Sequence, residues 1–152
     1  MISPLLDELF DPKHLTLGLR GGSAGEAIRE IVELLRDSGE LQEPAQFYEA
    51  VMEREEKSST VVESGVAFPH ARTRLVDQIV LGIGRSKDGV IFPGHEDLVH
   101  LIFVIAVPQQ LVNDYLICVG ALARLLKREG TRQALMAAST PAEFLQRLRG
   151  ES

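Results

Sequence analysis

One apolar run constrains the fold more than any other part of the chain. Residues 98–107 read Leu-Val-His-Leu-Ile-Phe-Val-Ile-Ala-Val, in which His100 is the single polar residue. The run is too short to span a membrane as a helix, and its branched side chains favour a central strand that is buried on both faces. Because both faces of such a strand need covering, we predict an α/β fold in which helices sandwich the sheet.

Two amphipathic helices are predicted before this strand. Ser23 and Glu26 match a capping box, apolar residues follow at helical spacing, and Gly39 is a suitable stop. Pro44 suits the first position of the second helix, which places Arg54 near its C-terminal end. Taken by itself, Arg54 is a solvated charge that is favourably placed at the negative end of a helix dipole.

A third helix is predicted after the apolar run, from about residue 113 to residue 127. Asn113 or Asp114 would cap its start, and Cys118 within it is interpreted as a small core residue. Cys118 is the only cysteine, so an internal disulfide is excluded. The predicted buried face of this helix consists of five apolar residues: Leu116, Val119, Leu122, Ala123 and Leu126.

Shorter elements complete the prediction. Residues 78–84 and 90–92, separated by Ser86-Lys-Asp-Gly89, are typical of a β-hairpin with a glycine-dependent turn. Two short helices are expected at the end of the chain, one opening at Thr131 and one with a capping box at residues 140–143.

The segment from Ser59 to Arg72 carries the main candidate for chemistry. Gly65 permits a turn or a close backbone approach, and residues 66–68 are interpreted as a short strand. Pro69 fixes φ and has no N–H donor, so the strand should stop there and leave His70 at a strand end. Histidine has an unperturbed pKa near neutrality, and strand ends of α/β sheets collect ligands and reacting groups.

Composition and charge exclude several classes of protein. The chain of 152 residues is 45% hydrophobic, which fits one domain over residues 1–152. Its net charge of −6 argues against nucleic-acid binding by phosphate neutralisation. The N-terminus Met-Ile-Ser-Pro lacks the regions of a signal peptide, so we expect a cytoplasmic protein without direct membrane insertion.

These motifs, in this order, resemble the IIA components of the bacterial sugar phosphotransferase system, in the fructose/mannitol/nitrogen-regulatory class. The resemblance covers nearly the whole chain. It rests on Arg54, Ser59-Thr60, the segment Gly65-Val-Ala-Phe-Pro-His70, the apolar run closed by Pro108, and the helix that follows. It implies a mixed β-sheet of about five strands between helices.

The resemblance also implies roles for these residues. His70 would accept a phosphoryl group from a phosphorylated HPr-type carrier and pass it to a IIB component or use it as a regulatory signal. Arg54 would pair with the phosphoryl oxygens, since a planar donor fork matches phosphate geometry. Ser59 or Thr60 would stabilise the charge through a hydroxyl or amide, and no metal or organic cofactor would be needed.

One position departs from the family. A second active-site histidine usually opens the helix after the apolar strand, and Tyr115 occupies that place here. A tyrosine can donate a hydroxyl hydrogen bond, but it contributes no imidazolium charge at neutral pH. The alternative to a phosphocarrier is therefore a regulatory interaction module that keeps the fold and has lost efficient phosphotransfer.

A metal-dependent hydrolase is a third hypothesis, prompted by four histidines and many carboxylates. The spacing does not support it, because no His-x-x-x-His or Cys/His cluster occurs and His95 and His100 are poorly arranged to chelate one ion. His100 is instead expected to be a neutral, hydrogen-bonded residue near the end of its strand. His14 and His95 are interpreted as turn and loop residues.

Overall fold

The computed structural model of the chain describes residues 4–62 and 64–150. Residues 1–3 of the N-terminus considered above, and Glu63 of the histidine segment, lie outside the described residues. The described helices are α1 (Pro4–Asp7), α2 (Ala24–Asp37), α3 (Pro44–Lys57), α4 (Val112–Leu126), α5 (Glu129–Ala137) and α6 (Pro141–Leu148). The strands are β1 (Leu15–Thr16), β2 (Val61–Val62), β3 (Val66–Ala67), β4 (His70–Thr73), β5 (Val80–Val90) and β6 (Val99–Pro108).

These six strands form one mixed sheet with β6 at its centre. Strand β5 pairs with β6 in antiparallel fashion, and β3 and β4 pair in succession with the other side of β6 in parallel. The edges are β1, parallel to β5, and β2, antiparallel to β3. The predicted α/β fold with a mixed sheet is confirmed.

Each face of the sheet covers its own hydrophobic core. Alternate residues of β6 point to opposite faces, so Phe103 and Ile105 belong to one core and Ile102 and Val104 to the other. The first core is closed by α1, α4, α5 and α6, and the second by α2 and α3. The near-continuous apolar run is thus explained by burial on both faces, as predicted.

The caps that begin two helices are also confirmed. The Ser23 hydroxyl accepts a hydrogen bond from the Glu26 amide at the start of α2, and the Thr140 hydroxyl accepts one from the Glu143 amide at the start of α6. Gly39 follows the end of α2 with a φ of 83°, the left-handed conformation that glycine adopts readily.

The predicted hairpin around Ser86–Gly89 is wrong. Residues 80–90 form the single strand β5, and the register changes from Arg85 opposite Leu101 to Val90 opposite Val99. The chain therefore advances five residues on β5 for two on β6, so the turn residues form a bulge rather than a reversal. The Ser86 hydroxyl accepts a hydrogen bond from the Gly89 amide inside this bulge.

Three details of the helical region differ from prediction. Helix α4 begins after Leu111 with no side-chain cap, so neither Asn113 nor Asp114 caps it. Leu116 and Ala123 are not on the buried face, because Cys118, Leu122 and Leu126 point to the core and turn Leu116 and Ala123 outward. Helix α5 opens at Glu129, two residues before the expected position.

No helix within residues 4–62 and 64–150 is long and apolar enough to cross a membrane. The cytoplasmic location and the single domain over residues 1–152 stay predictions.

Candidate functional site

His70 opens a strand rather than ending one. Strand β3 stops at Ala67, Phe68 and Pro69 interrupt the pairing, and β4 begins at His70, opposite Ile105 of β6. The Pro69 carbonyl accepts a hydrogen bond from the Ile105 amide, which keeps the interruption attached to the central strand. The strand break at Pro69 is as predicted, but the chain resumes its pairing at once and holds the His70 backbone in the sheet.

The turn before β3 requires a glycine. Gly65 has a φ of 77°, and a Cβ placed on it would lie 2.9 Å from the Leu98 carbonyl oxygen. The Gly65 carbonyl in turn accepts a hydrogen bond from the His100 amide at 2.9 Å. The close backbone approach expected at Gly65 is confirmed, and it joins β3 to the start of β6.

A backbone carbonyl fixes the imidazole of His70. Its Nδ1 lies 3.0 Å from the Phe68 carbonyl oxygen. Because a carbonyl only accepts hydrogen bonds, Nδ1 carries the proton in the neutral ring and Nε2 keeps its lone pair. Nε2 is therefore the ring atom with nucleophilic character, on a residue that is half-buried.

A cleft of about 450 Å³ brings three of the predicted residues together. It is lined by His70, by Arg54 from the end of α3, and by Tyr115 from the first turn of α4. The rings of His70 and Tyr115 are tilted by 34° with their centres 5.0 Å apart. Arg72 lines the same cleft, two residues beyond His70 on β4.

Arg54 is anchored at the rim of this cleft. Its Nη1 donates a hydrogen bond of 2.9 Å to the Ser58 carbonyl, just beyond the C-terminus of α3. Among the described residues this is its one hydrogen bond, which leaves the other guanidinium donors for an anion.

Burial lowers the pKa of His70 below its ordinary value of 6.5. The hydrogen bond to Phe68 and the carboxylate of Glu55 act in the opposite direction, while the positive charges of Arg54 and Arg72 lower the pKa further. The net effect keeps the imidazole neutral at physiological pH, the state in which Nε2 can attack an electrophile.

Tyr115 stays protonated beside this ring. Burial raises the pKa of its hydroxyl above the ordinary value of 10, and Arg54 opposes that shift. The phenol is therefore a neutral hydrogen-bond donor at the place where the resemblance leads us to expect an imidazole.

Ser59 and Thr60 are held by other partners. The Ser59 hydroxyl lies 2.8 Å from Nε2 of His95 and accepts a hydrogen bond from the Val61 amide. The amide and hydroxyl of Thr60 both donate to the Glu55 carboxylate, at 2.9 and 2.6 Å. Neither residue is among those that line the described cleft around His70, and their contact with the phosphoryl group stays a prediction.

Glu55 is the neighbour of His70 that sequence reasoning missed. It lies beside Arg54 in a run of acidic residues on α3, a pattern that is more often a solvated face. Its partnership with Thr60 depends on how the chain turns after Lys57, which no local pattern reveals.

The other histidines lie away from this cleft. Nδ1 of His100 donates a hydrogen bond of 2.8 Å to the Ser86 carbonyl, as expected for a satisfied residue near a strand end. His14 is buried in a 3-10 turn, with Nε2 3.5 Å from a Glu40 carboxylate oxygen. Within the described ranges, no three His, Cys, Asp or Glu residues are grouped to hold a metal ion.

Cys118 is a core residue, as predicted. Its side chain is buried beneath α4, and burial, reinforced by Asp114, raises the pKa of the thiol to about 11.

Comparison with known proteins identifies the family. Residues 8–150 match the model of the phosphoenolpyruvate-dependent sugar phosphotransferase system EIIA 2 family. The fructose-specific EIIABC component of Bacillus subtilis is 33% identical over 136 residues, covering 89% of this chain and 21% of that protein. The fructose-specific EIIA component of Haloferax volcanii is 32% identical over 115 residues, covering 75% of each. The chain therefore belongs to the EIIA 2 family of the phosphotransferase system.

Solved structures share the fold. The nitrogen regulatory protein IIA-Ntr of Neisseria meningitidis superposes with a TM-score of 0.86 at 29% identity, over 95% of this chain and 99% of that one. Enzyme IIA mannitol of Escherichia coli, solved in complex with phosphorylated enzyme IIB mannitol, superposes with a TM-score of 0.78 at 24% identity. That superposition covers 91% of this chain and 96% of that one.

Proposed function

We propose that this protein is a phosphocarrier in which His70 receives a phosphoryl group from an HPr-type carrier and delivers it to a IIB component or holds it as a regulatory signal. The observation that carries the proposal is the position and protonation of the His70 imidazole. Its Nδ1 proton is committed to the Phe68 carbonyl, and its Nε2 shares a cleft with the guanidinium of Arg54. The site therefore places a neutral nitrogen nucleophile beside a guanidinium whose paired N–H donors match phosphate oxygens.

The proposed transfer needs only the two proteins. The lone pair of Nε2 attacks phosphorus, the new N–P bond forms, and the N–P bond of the donor phosphohistidine breaks with its electron pair returning to the donor ring. Because Nδ1 of His70 keeps its proton, the phosphorylated ring carries a positive charge while the phosphoryl oxygens are negative. Delivery to the next protein reverses these steps, with the acceptor atom taking the place of the donor nitrogen.

Arg54 and Tyr115 have separate parts in this proposal. The guanidinium of Arg54 neutralises charge on the phosphoryl oxygens as they pass through the in-line geometry. The hydroxyl of Tyr115 donates one hydrogen bond to the same group but adds no charge. Ser59 and Thr60 are not assigned a direct contact with the phosphoryl group.

The exposed side of α4 supports contact with another protein. Leu116 and Ile117 are 56% and 54% exposed, and they directly follow Tyr115 in the chain. Large apolar side chains exposed together beside a reactive residue are typical of an interaction surface. We therefore place the docking surface for donor and acceptor proteins on the exposed side of α4.

The alternative of a regulatory module without phosphotransfer is less favoured. That alternative was suggested by the missing second histidine. His70 and Arg54 nevertheless line one cleft, and Tyr115 lines it too, with its ring next to that of His70. Under our proposal, Tyr115→His adds a positive charge beside the phosphoryl group and raises the transfer rate. No gain in that variant would weaken the assigned role of Tyr115.

Incubation with phosphoenolpyruvate, enzyme I and HPr tests the proposal. The expected product is a stoichiometric, acid-labile phosphate that His70→Ala abolishes, with His95→Ala as the matched control that retains it. A protein that stays unphosphorylated, or one phosphorylated equally in His70→Ala, would contradict the proposal.

A further inference from the structure

A chain of hydrogen bonds connects helix α3 to the imidazole of His70. Both oxygens of the Glu55 carboxylate accept hydrogen bonds from Thr60, one from its amide at 2.9 Å and one from its hydroxyl at 2.6 Å. The Thr60 carbonyl accepts a hydrogen bond from the Phe68 amide at 3.2 Å. The Phe68 carbonyl then accepts the Nδ1 proton of His70 at 3.0 Å.

This chain adds to the contacts that fix the segment between β3 and β4, where the Phe68 side chain is buried against Phe103 and the Pro69 carbonyl accepts a hydrogen bond from the Ile105 amide. Strands β2 and β3 contribute two residues each to the sheet, and β3 ends immediately before Phe68. Phe68 and Pro69 lie between two paired segments, and the hydrogen bond from the Phe68 amide to the Thr60 carbonyl helps to fix the backbone angles of Phe68. Those angles decide where the Phe68 carbonyl oxygen, which belongs to the next peptide unit, points.

We propose that Glu55 is a positioning residue for His70. By clamping Thr60, it fixes the backbone angles of Phe68 so that the Phe68 carbonyl holds the proton on Nδ1 and leaves Nε2 unprotonated for the phosphoryl group. The inference rests on the proposed function for its consequence in catalysis. The tautomer of His70, by contrast, is a property of the protein before any transfer.

The charge of Glu55 adds a second, separable effect. The charged and titratable groups that face His70 are Glu53, Arg54, Glu55 and Lys57 from α3, Arg72 from β4, and Tyr115 from α4. Glu53 lies 3.6 Å from the Lys57 ammonium, and Glu55 is the carboxylate of this described set whose charge raises the pKa of His70. Its carboxylate therefore favours the positively charged ring that exists while the phosphoryl group is bound.

Two substitutions separate the hydrogen bonds that Glu55 makes to Thr60, which we call the clamp, from the charge of its carboxylate. In Glu55→Gln, the amide oxygen accepts from the Thr60 N–H and the amide nitrogen donates to the Thr60 hydroxyl, so the clamp survives without its charge. In Glu55→Ala both are lost. Glu56→Ala is the matched control, since Glu56 is an exposed carboxylate on the same helix.

The readout is ¹⁵N NMR of the His70 ring, which reports the tautomer and the midpoint of its titration. We expect the Nδ1–H form to dominate in the wild type, in Glu55→Gln and in Glu56→Ala, and to give way to a mixture of tautomers in Glu55→Ala. The titration midpoint should fall in Glu55→Gln and stay in place in Glu56→Ala. The rate of phosphoryl uptake should drop roughly tenfold to a hundredfold in Glu55→Ala, the scale expected for a displaced reacting group.

An unchanged tautomer in a folded Glu55→Ala would overturn the inference. Should that variant fail to fold, Thr60→Val replaces it. Thr60→Val removes the hydroxyl arm of the clamp, and a tautomer distribution identical to wild type would again overturn the inference. Failure of the proposed function is distinguishable, because a wild type that takes up no phosphate would leave the tautomer results standing.

Discussion

At the scale of single residues, the site combines a neutral nucleophile with a fixed positive charge. Burial lowers the pKa of His70, and the Phe68 carbonyl selects which nitrogen keeps the proton. Arg54 is held at the rim by the Ser58 carbonyl, so its charge is in place before a phosphoryl group arrives. Such preorganisation reduces the reorganisation needed during transfer.

Replacing Arg54 by lysine tests whether its geometry matters beyond its charge. Arg54→Lys keeps the positive charge but loses the planar fork of donors, so the rate of phosphoryl uptake should fall by roughly tenfold to a hundredfold. Arg74→Lys, which changes an exposed arginine outside the cleft, is the control and should transfer at the wild-type rate. Equal rates in the two variants would count against the placement of Arg54 on the phosphoryl group.

The protonation of His70 predicts a direction for the dependence of stability on pH. Its pKa is near 6.5 in the unfolded chain and lower in the folded protein. At pH values between the two, the unfolded chain therefore binds more protons than the folded one. His70 therefore makes the free energy of unfolding rise with pH across that window and lowers it as the pH falls below 6.5. Denaturant melts of wild type and His70→Gln over this pH range should show a shallower slope in the variant, and identical slopes would refute the assignment.

At the scale of elements, the site depends on how β3 and β4 follow each other along β6. Both strands pair with β6 in parallel, and Pro69 separates them without moving them out of the sheet. Ala71 is buried in the core under α2 and α3, so alternation along β4 turns His70 and Arg72 to the opposite face. Tyr115 lies on that face because α4 covers it.

The turn at Gly65 is the point where this arrangement is most sensitive to substitution. Gly65→Ala combines a left-handed φ with a Cβ only 2.9 Å from a backbone oxygen, which cannot rotate away. We expect a loss of about 1–3 kcal/mol in the free energy of unfolding. Gly18→Ala, whose Cβ would meet nothing within 4 Å, serves as the control in chemical denaturation. A Gly65→Ala protein as stable as the control would show that the contact with Leu98 relaxes freely.

The comparison of sequence with structure is most instructive at this scale. Ser23 and Thr140 were predictable as caps because a cap needs only residues three positions apart. The turn chemistry of Ser86–Gly89 is equally local, but a bulge and a hairpin use the same residues, and pairing with β6 decides between them. Leu116 was placed on the wrong face for a related reason, since the packing of α4 sets which apolar stripe is buried.

In the candidate site too, some residues could be predicted from the sequence and some contacts could not. His70, Arg54 and Tyr115 were named from the sequence, because motif order and the family resemblance pointed to them. The hydrogen bond between Ser59 and His95 joins two segments that are 36 residues apart in the chain. The hydrogen bond of Thr60 to Glu55 depends on how the chain turns after helix α3. Sequence patterns carry no information on those contacts, and so Glu55 was overlooked.

At the scale of the whole molecule, the two cores leave one exposed side of α4 next to the reactive cleft. Leu116 and Ile117 contribute nothing to either core, yet both are large and apolar. A phosphocarrier must accept two different proteins in turn, and exposed apolar side chains next to Tyr115, which lines the cleft of the half-buried His70, suit that task.

Placing a charge on the exposed side of α4 tests the docking surface. Leu116→Glu should weaken binding of the phosphorylated donor roughly tenfold, because a carboxylate would be desolvated against the partner. The melting temperature should not change, since the side chain is already exposed. Ile91→Glu is the control, as Ile91 is 63% exposed and does not line the cleft. Calorimetric titration that gives equal affinities for the two variants would place the docking surface elsewhere.

The central claim is that Nε2 of His70 forms the bond to phosphorus. Phosphorylation of ¹⁵N-histidine-labelled protein, followed by ¹⁵N–³¹P NMR, identifies the bonded atom directly. We predict a coupling from phosphorus to Nε2 of His70, with Nδ1 retaining its proton. A coupling to Nδ1 of His70, or to a nitrogen of His14, His95 or His100, would contradict the account.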